Sequence, residues 1–245
     1  ESKSRYLYCI TVWDQDGREV KSGQESFETA FLSGEDWKAG WIEPVPLPQL
    51  EKNPLEGANK TWMEVVDAMM RGENPEIISD EENLRAQPLE PYDPPVRMRR
   101  VFRVEKEVKR ARLSITAHGI YEAKINGKSV TDSVLNPGFT TYDKRLKYQV
   151  FPAEALLRQG ENAIAVTVAD GWYKGKIALG RGCEYGEVPG LLLQLEMEYE
   201  DGTKDVLCSD EQWSYSFDGP VRMADLFLGQ TVDARMDDGD PSLCT

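Results

Sequence analysis

Residues 191–199 are Leu-Leu-Leu-Gln-Leu-Glu-Met-Glu-Tyr, a run in which apolar and polar side chains alternate. A period of two predicts a β-strand that buries one face and exposes the other. Residues 200–202, Glu-Asp-Gly, then predict a tight turn into another strand, because glycine tolerates the positive φ that such turns need. The predicted buried face holds Leu191, Leu193, Leu195, Met197 and Tyr199, with Gln194, Glu196 and Glu198 on the opposite face.

The same alternation recurs earlier in the chain. Residues 121–125 and 128–130 flank Asn126-Gly127, the dipeptide that type I′ hairpin turns favour. Half-buried antiparallel strands with short turns and little helix predict an all-β fold, an antiparallel β-sandwich of the jelly-roll-like kind. Further strands are predicted over residues 6–13, 25–32, 99–108, 110–117 (with Ala111, Leu113, Ile115 and Ala117 on one face) and 163–169 (with Ile164, Val166 and Val168).

Composition excludes several classes of function. The 245 residues include 29 basic and 43 acidic side chains, and a net charge of −14 argues against binding to nucleic acid or to an anionic membrane surface. Apolar residues make up 40% of the chain, enough for a core, but no apolar run approaches the ~20 residues of a membrane span. With one histidine, His118, and no Cys-x-x-Cys pair, neither a zinc site nor a Ser–His–Asp triad is supported. We predict no cofactor.

Residues 44–95 differ from the rest of the chain. They contain nine of the fourteen prolines, and residues 51–95 alone carry eleven acidic and four basic side chains, half of the net charge. Thr61-x-x-Glu64 is a capping box, and the apolar spacing after it predicts an amphipathic helix over about residues 62–71, which Gly72 ends. We interpret residues 44–95 as an acidic insertion into the β-domain.

Four motifs then follow one another in a specific order. Residues 119–128 contain Gly-Ile-Tyr-Glu and Ile-Asn-Gly-Lys, and residues 135–145 are Leu-Asn-Pro-Gly-Phe-Thr-Thr-Tyr-Asp-Lys-Arg. Residues 169–175 are Ala-Asp-Gly-Trp-Tyr-Lys-Gly, and residues 227–235 are Phe-Leu-Gly-Gln-Thr-Val-Asp-Ala-Arg. Each motif alone is weak, but together they resemble the N-terminal β-sandwich domain of bacterial α-L-rhamnosidases, glycoside hydrolase family 78.

The resemblance implies a domain organisation. Residues 1–32 resemble the last strands of a fibronectin-III-like domain, residues 33–236 the β-sandwich domain with its first strand at 37–42, and residues 237–245 a linker toward a catalytic domain. The catalytic acid and base of the family lie in an (α/α)6 barrel that follows this region. We therefore expect a fragment with no catalytic centre, whose partner is that barrel. The family usually has Glu where this chain has Gln230, so any ion pair of that acid is lost or reassigned.

Two functional hypotheses follow from the resemblance. The first is a non-catalytic accessory region of an inverting exo-glycosidase that removes terminal α-L-rhamnose from glycans or glycosides, supporting the barrel and the rim of its cleft. The alternative is an autonomous carbohydrate-binding module for rhamnosylated glycans. A third reading, a self-contained hydrolase, predicts rhamnose release by this chain alone, which we do not expect. A periplasmic or extracellular location is favoured, with the cytoplasm as the alternative.

Asp170, Trp172, Tyr173 and Lys174 are the candidate carbohydrate-binding residues. Aromatic rings stack on the apolar faces of sugars, while a carboxylate and an ammonium group bind hydroxyls. The competing interpretation, which we prefer, is that Trp172 and Tyr173 pack against the catalytic barrel or close one end of the sandwich.

Several other polar residues receive structural interpretations. Tyr142, Asp143 and Arg145 are predicted to form a structural loop held by an Asp–Arg pair, and His118 to be a hydrogen-bonded structural residue. Three aspartates cluster as calcium ligands do, but without EF-hand spacing, so a solvated acidic tail is preferred and structural calcium is unsupported. These aspartates are Asp237, Asp238 and Asp240.

Overall fold

A computed structural model describes residues 1–47, 70–72, 93–177 and 182–236. Within these ranges no helix is long and apolar enough to cross a membrane. One short helix, α1, spans Gly171–Lys174, and 3-10 turns span Gly34–Asp36 and Glu154–Leu156. The strands are β1 (Arg5–Tyr8), β2 (Thr11–Trp13), β3 (Glu19–Lys21), β4 (Glu25–Glu28), β5 (Val96–Val104), β6 (Val108–His118), β7 (Ile120–Ile125), β8 (Lys128–Ser129), β9 (Gln149–Pro152), β10 (Gly160–Ala169), β11 (Gly190–Tyr199), β12 (Lys204–Cys208), β13 (Ser214–Ser216), β14 (Val221–Asp225) and β15 (Gly229–Val232).

Two antiparallel sheets face each other and form a β-sandwich, as the alternating pattern predicts. One sheet has the strand order β13-β5-β10-β7-β8, and the other has the order β12-β11-β6-β9. Their facing side chains form a single core that removes apolar surface from water. All the residues predicted for the buried faces of β6, β10 and β11 lie in this core, at 0–4% exposure.

The Asn126-Gly127 hairpin is confirmed. Both residues have positive φ, 51° and 78°, as a type I′ turn requires, and Ile125 pairs with Lys128 across the turn. The Asn126 side chain donates to Asn162 Oδ1 at 2.7 Å and accepts from the Ala163 backbone N–H, which ties the turn to the start of β10. The turn therefore fixes the register of β7 against β8 and, through Asn162, the start of β10.

The N-terminal segment contacts the outer face of the four-stranded sheet through Lys3 and residues 28–42. Ile42 forms a two-bond bridge with Leu191, so the predicted first strand reduces to one residue pair at the edge of β11. Phe31 stacks on the Tyr148 ring at 5.4 Å. Glu28 forms an ion pair with Arg112 at 2.7 Å. The outer face of β11 is therefore covered, whereas its alternation alone predicts a solvated face.

The N-terminal strands differ from their prediction. Residues 6–13 do not form one strand, because the chain changes partner at Cys9 and Ile10: β1 pairs with β4, and β2 pairs with β3. The Ile10 backbone N–H is bound by the Ser22 hydroxyl at that break. The second predicted strand ends at Glu28 instead of residue 32. The assignment of residues 1–32 to a fibronectin-III-like domain stays a prediction.

The acidic insertion and the C-terminal tail fall mostly outside the described residues. This applies to the predicted helix up to residue 69 and to the predicted linker, including the aspartates at 237, 238 and 240. Gly72 is described and has a φ of 75°, the left-handed conformation that commonly follows the last turn of a helix.

Candidate functional site

Seven aromatic side chains meet at one end of the sandwich. They come from five places in the chain: the end of the N-terminal segment beside Ile42, the end of β6, the loop after β8, helix α1 and the segment before β11. We call this group the end cluster. Its members are Trp41, His118, Phe139, Tyr142, Trp172, Tyr173 and Tyr185. The sequence motifs at 135–145 and 169–175 are thus brought together in space.

A three-ring stack forms the centre of the end cluster. The His118 ring lies between Trp41, at a centroid distance of 3.9 Å, and Tyr173, at 4.4 Å, with interplanar angles of 12° and 3°. His118 Nδ1 is buried and has no hydrogen-bond partner among the described residues, so ring stacking and not a hydrogen bond of this nitrogen holds the side chain there. Burial lowers its pKa, which favours the neutral imidazole within the stack.

Tyr142 joins the predicted structural loop to this stack. Its ring contacts Tyr173 at 5.3 Å and Tyr185 at 5.1 Å. Burial raises the pKa of Tyr142 to about 12. The predicted Asp–Arg pair is absent from the described contacts: Asp143 forms an ion pair with Lys144 at 3.4 Å, and Arg145 is held by its backbone N–H to Thr141 O. Backbone hydrogen bonds of the turn hold this loop.

Asp170 and Lys174 face inward beside the end cluster. Lys174 Nζ donates to Asp93 Oδ2 at 2.6 Å and lies 3.8 Å from Asp170 Oδ1. Burial, followed by the nearby Asp93 and Asp225 carboxylates, raises the pKa of Asp170 to about 6, although Lys174 opposes the shift. Burial lowers the pKa of Lys174, but Asp170 and Asp93 together outweigh this, so its pKa is raised. The group is a mostly buried charge network.

These positions bear on the candidate carbohydrate site. The side chains of Asp170 and Lys174 are 6% and 10% exposed, and Lys174 is occupied by the two aspartates. Trp172 and Tyr173 are half-buried, and Trp172 contacts Phe139 with its centroid 6.1 Å away. Among the described residues no three His, Cys, Asp or Glu side chains are placed to hold a metal ion.

Local sequence does not predict that Asp93 and Asp225 lie beside Asp170 and Lys174. Asp93 belongs to the acidic insertion and lies 81 residues before Lys174 in the chain. Asp225 accepts from the Phe227 and Leu228 backbone N–H groups with Oδ1 and from Lys176 N–H with Oδ2. The two bonds within residues 225–228 form a local Asx-type turn, which the residue type alone makes plausible, whereas the bond to Lys176 depends on tertiary structure.

Asp170→Asn is expected to remove a pH dependence of stability. The folded state binds the Asp170 proton more tightly than the unfolded state, since its pKa is about 6 against 3.8. This contribution is present below the unfolded pKa and is lost as pH rises through the folded pKa. Urea unfolding measures the free energy of unfolding at about pH 4 and at pH 7. Between these two pH values the parent chain should lose up to about 3 kcal/mol more of it than the variant. Equal pH profiles would contradict the assignment.

Comparison with known proteins identifies the family. A family model described as the alpha-L-rhamnosidase N-terminal domain matches residues 106–241, a little over half of the chain. An alpha-L-rhamnosidase of Formosa agariphila is 30% identical over 238 residues, which is 96% of this chain and 22% of that protein. One from Streptomyces avermitilis is 46% identical over 139 residues, which is 56% of this chain and 13% of that protein.

Solved structures agree with this result. The crystal structure of the rhamnosidase from Aspergillus terreus matches with a TM-score of 0.75 and 28% identity, over 97% of this chain and 23% of that one. The Streptomyces avermitilis enzyme complexed with L-rhamnose matches with a TM-score of 0.74 and 25% identity, over 97% of this chain and 35% of that one. The chain spans less than a quarter of the length of the curated relatives named above. The chain therefore belongs to the α-L-rhamnosidase N-terminal domain family.

Proposed function

We propose that this chain is a non-catalytic accessory region of an α-L-rhamnosidase and that it supports a separate catalytic domain. The proposal rests on how small a share of a related enzyme this chain covers. The alignment with the Formosa agariphila enzyme runs along 96% of this chain but takes up only 22% of that enzyme. This difference in extent supports the proposal that the sandwich is one part of a larger hydrolase, in which the supported partner is the (α/α)6 barrel that the family resemblance implies.

The end cluster is the surface that we assign to this support. Its central stack joins three separate segments of the chain through Trp41, His118 and Tyr173, which makes that end of the sandwich stiff. Phe139 belongs to the same cluster and is 47% exposed, so it offers an apolar contact to a neighbouring domain. A rigid end with an exposed aromatic side chain suits a docking platform for a barrel.

Activity measurements on two proteins test this proposal. The chain alone is expected to release no nitrophenol from 4-nitrophenyl α-L-rhamnoside, whereas the full-length enzyme that contains it is active.

Phe139→Ala in the full-length enzyme should lower its thermal stability by about 1–2 kcal/mol, because the interdomain contact loses an aromatic side chain. Val134→Ala, at a 78% exposed position, is the control and should have little effect. Rhamnose release by the chain alone would overturn the proposal.

A carbohydrate-binding module is the second candidate function. The Phe139–Trp172 pair favours it, because two aromatic rings 6.1 Å apart lie at one end of the domain and one of them is exposed. This candidate predicts that L-rhamnose binds to the chain with millimolar affinity or better and that Trp172→Ala abolishes the binding. Isothermal titration calorimetry measures both quantities directly.

A further inference from the structure

A groove runs between the segment 38–43 and the turn that joins β12 to β13. Its volume is ≈ 770 Å³, and it is open to solvent on one side. Pockets of about 300–1,000 Å³ are those that hold small organic ligands in proteins. Trp41, Trp213 and Tyr215 supply the aromatic lining. Charged side chains come from Lys38, Glu43, Asp210 and Glu211. None of the four candidate carbohydrate-binding residues at 170–174 lines this groove.

Backbone and side-chain hydrogen bonds fix the two walls of the groove. Gly40 N–H donates to Ser209 O at 3.0 Å, and the Ser209 hydroxyl donates back to Gly40 O. Asp210 Oδ1 accepts from Gln212 N–H at 2.9 Å, which holds the turn in shape. Tyr215 accepts from Val45 N–H through its hydroxyl and so joins the walls at one end. A groove held in this way is largely preformed, which lowers the entropic cost of binding.

The aromatic rings of the groove remain accessible. Trp41 is 39% exposed although one of its faces is covered by His118, and Tyr215 is 44% exposed. Trp213 is half-buried, and its indole N–H donates to Cys208 O at 2.9 Å, which locks the ring orientation. Rings that are immobilised and partly exposed offer apolar faces to a ligand at little entropic cost.

Unused polar groups accompany these rings. Within the part of the chain that the structure describes, the side chains of Lys38, Glu43 and Glu211 make no hydrogen bond or ion pair, and all three residues are exposed. They supply both donors and acceptors. With Asp210, the lining has three carboxylates and one ammonium group, which disfavours an anion. A compound whose hydroxyls both donate and accept, and whose rings have apolar faces, matches this lining.

We propose that the groove binds a neutral saccharide of two or three rings. Trp41, Trp213 and Tyr215 contact the apolar faces of the sugar rings, and Lys38, Glu43 and Glu211 bind the hydroxyl groups. This site differs from the end cluster in every residue except Trp41, and it does not depend on the accessory role proposed above, which is tested by rhamnose release instead of by binding.

Calorimetry on the whole 245-residue chain tests the proposal with three probes: L-rhamnose, rutinose (a rhamnosyl-glucose disaccharide) and cellotriose. At least one oligosaccharide is expected to bind with a Kd of about 1 mM and more tightly than the monosaccharide. Tyr215→Ala should weaken that binding by about tenfold, since an aromatic contact is lost. The matched control is Trp13→Ala, an aromatic truncation at a 63% exposed position outside the groove, which should leave the Kd within about twofold. Trp172→Ala reports whether any sugar binds at the end cluster instead.

A second pair of variants keeps the test decisive if Tyr215→Ala fails to fold. Glu43→Gln and Glu211→Gln keep the size of each side chain at an exposed position and should each weaken binding by about threefold or more while leaving the melting temperature unchanged. No heat from any probe up to about 20 mM overturns the proposal. Loss of binding in Trp172→Ala but not in Tyr215→Ala or Glu43→Gln also overturns it, and assigns the sugar to the end cluster.

Discussion

Gly119→Ala is expected to destabilise the domain by about 4 kcal/mol. Gly119 has a φ of 135°, which side-chain-bearing residues rarely adopt. An added Cβ would lie 2.3 Å from Ala169 O and 3.0 Å from Val168 Cγ1, so the β6–β7 connection and the end of β10 would have to separate at this point. Gly119 follows His118 directly, so the central stack should loosen as well. Urea unfolding gives the loss of stability, and near-ultraviolet circular dichroism reports the change in aromatic packing.

Gly202→Ala is the matched control for this variant. Gly202 also has a positive φ, 82°, but no atom lies within 4 Å of the added Cβ. Only backbone strain is then introduced, and the expected loss is about 1 kcal/mol. The difference between the two variants measures the close approach of Gly119 to Ala169. Equal losses of stability in Gly119→Ala and Gly202→Ala would contradict the close packing of the β6–β7 connection on β10.

Gln194→Met is expected to cost about 3 kcal/mol by detaching the N-terminal segment. Gln194 is fully buried on the outer face of β11; its Oε1 accepts from Lys38 N–H at 2.6 Å, and its Nε2 donates to Asp36 O at 3.3 Å. Methionine keeps the volume but leaves both backbone groups without a partner. Hydrogen exchange should therefore accelerate in residues 1–43 more than in the core strands.

Glu196→Gln is the control for the outer face. It removes the ion pair of Glu196 with Lys3, whose side chains are 21% and 30% exposed, and partly exposed pairs of this kind contribute about 0.5 kcal/mol. Exchange in residues 1–43 should then stay close to that of the parent chain. Uniform acceleration over the whole domain in Gln194→Met would contradict a local role of Gln194.

Local sequence pattern predicted the sandwich well because its core strands alternate. The face of Leu191, Leu193 and Leu195 was identified in this way and is fully buried. The pattern failed where long-range tertiary contacts determine whether a side chain is buried. Gln194 carries the signal of a solvated position, yet a segment more than 150 residues away in sequence covers it. The short strand β9 has only four residues and no clear alternation, so the pattern did not reveal it.

The candidate site was predictable in outline but not in its contacts. The motifs containing Tyr142 and Tyr173 were each singled out, and the two rings meet in the end cluster. Their partners depend on long-range packing: Lys174 pairs with Asp93 from the acidic insertion, and His118 is held between two rings. The Asp143–Arg145 pair was inferred from proximity in sequence, whereas Lys144 is the partner that Asp143 contacts.

The contact between the first 43 residues and β11 has a consequence for folding during synthesis. Lys3 binds Glu196, which the ribosome adds 193 residues later. At roughly 5–20 residues per second, Lys3 waits about 10–40 s for this partner. During this interval apolar side chains such as Phe31, Trp37 and Ile42, which are half-buried in the finished domain, lack part of their cover. The nascent chain should therefore be most exposed to aggregation, and to chaperone binding, before β11 has left the exit tunnel.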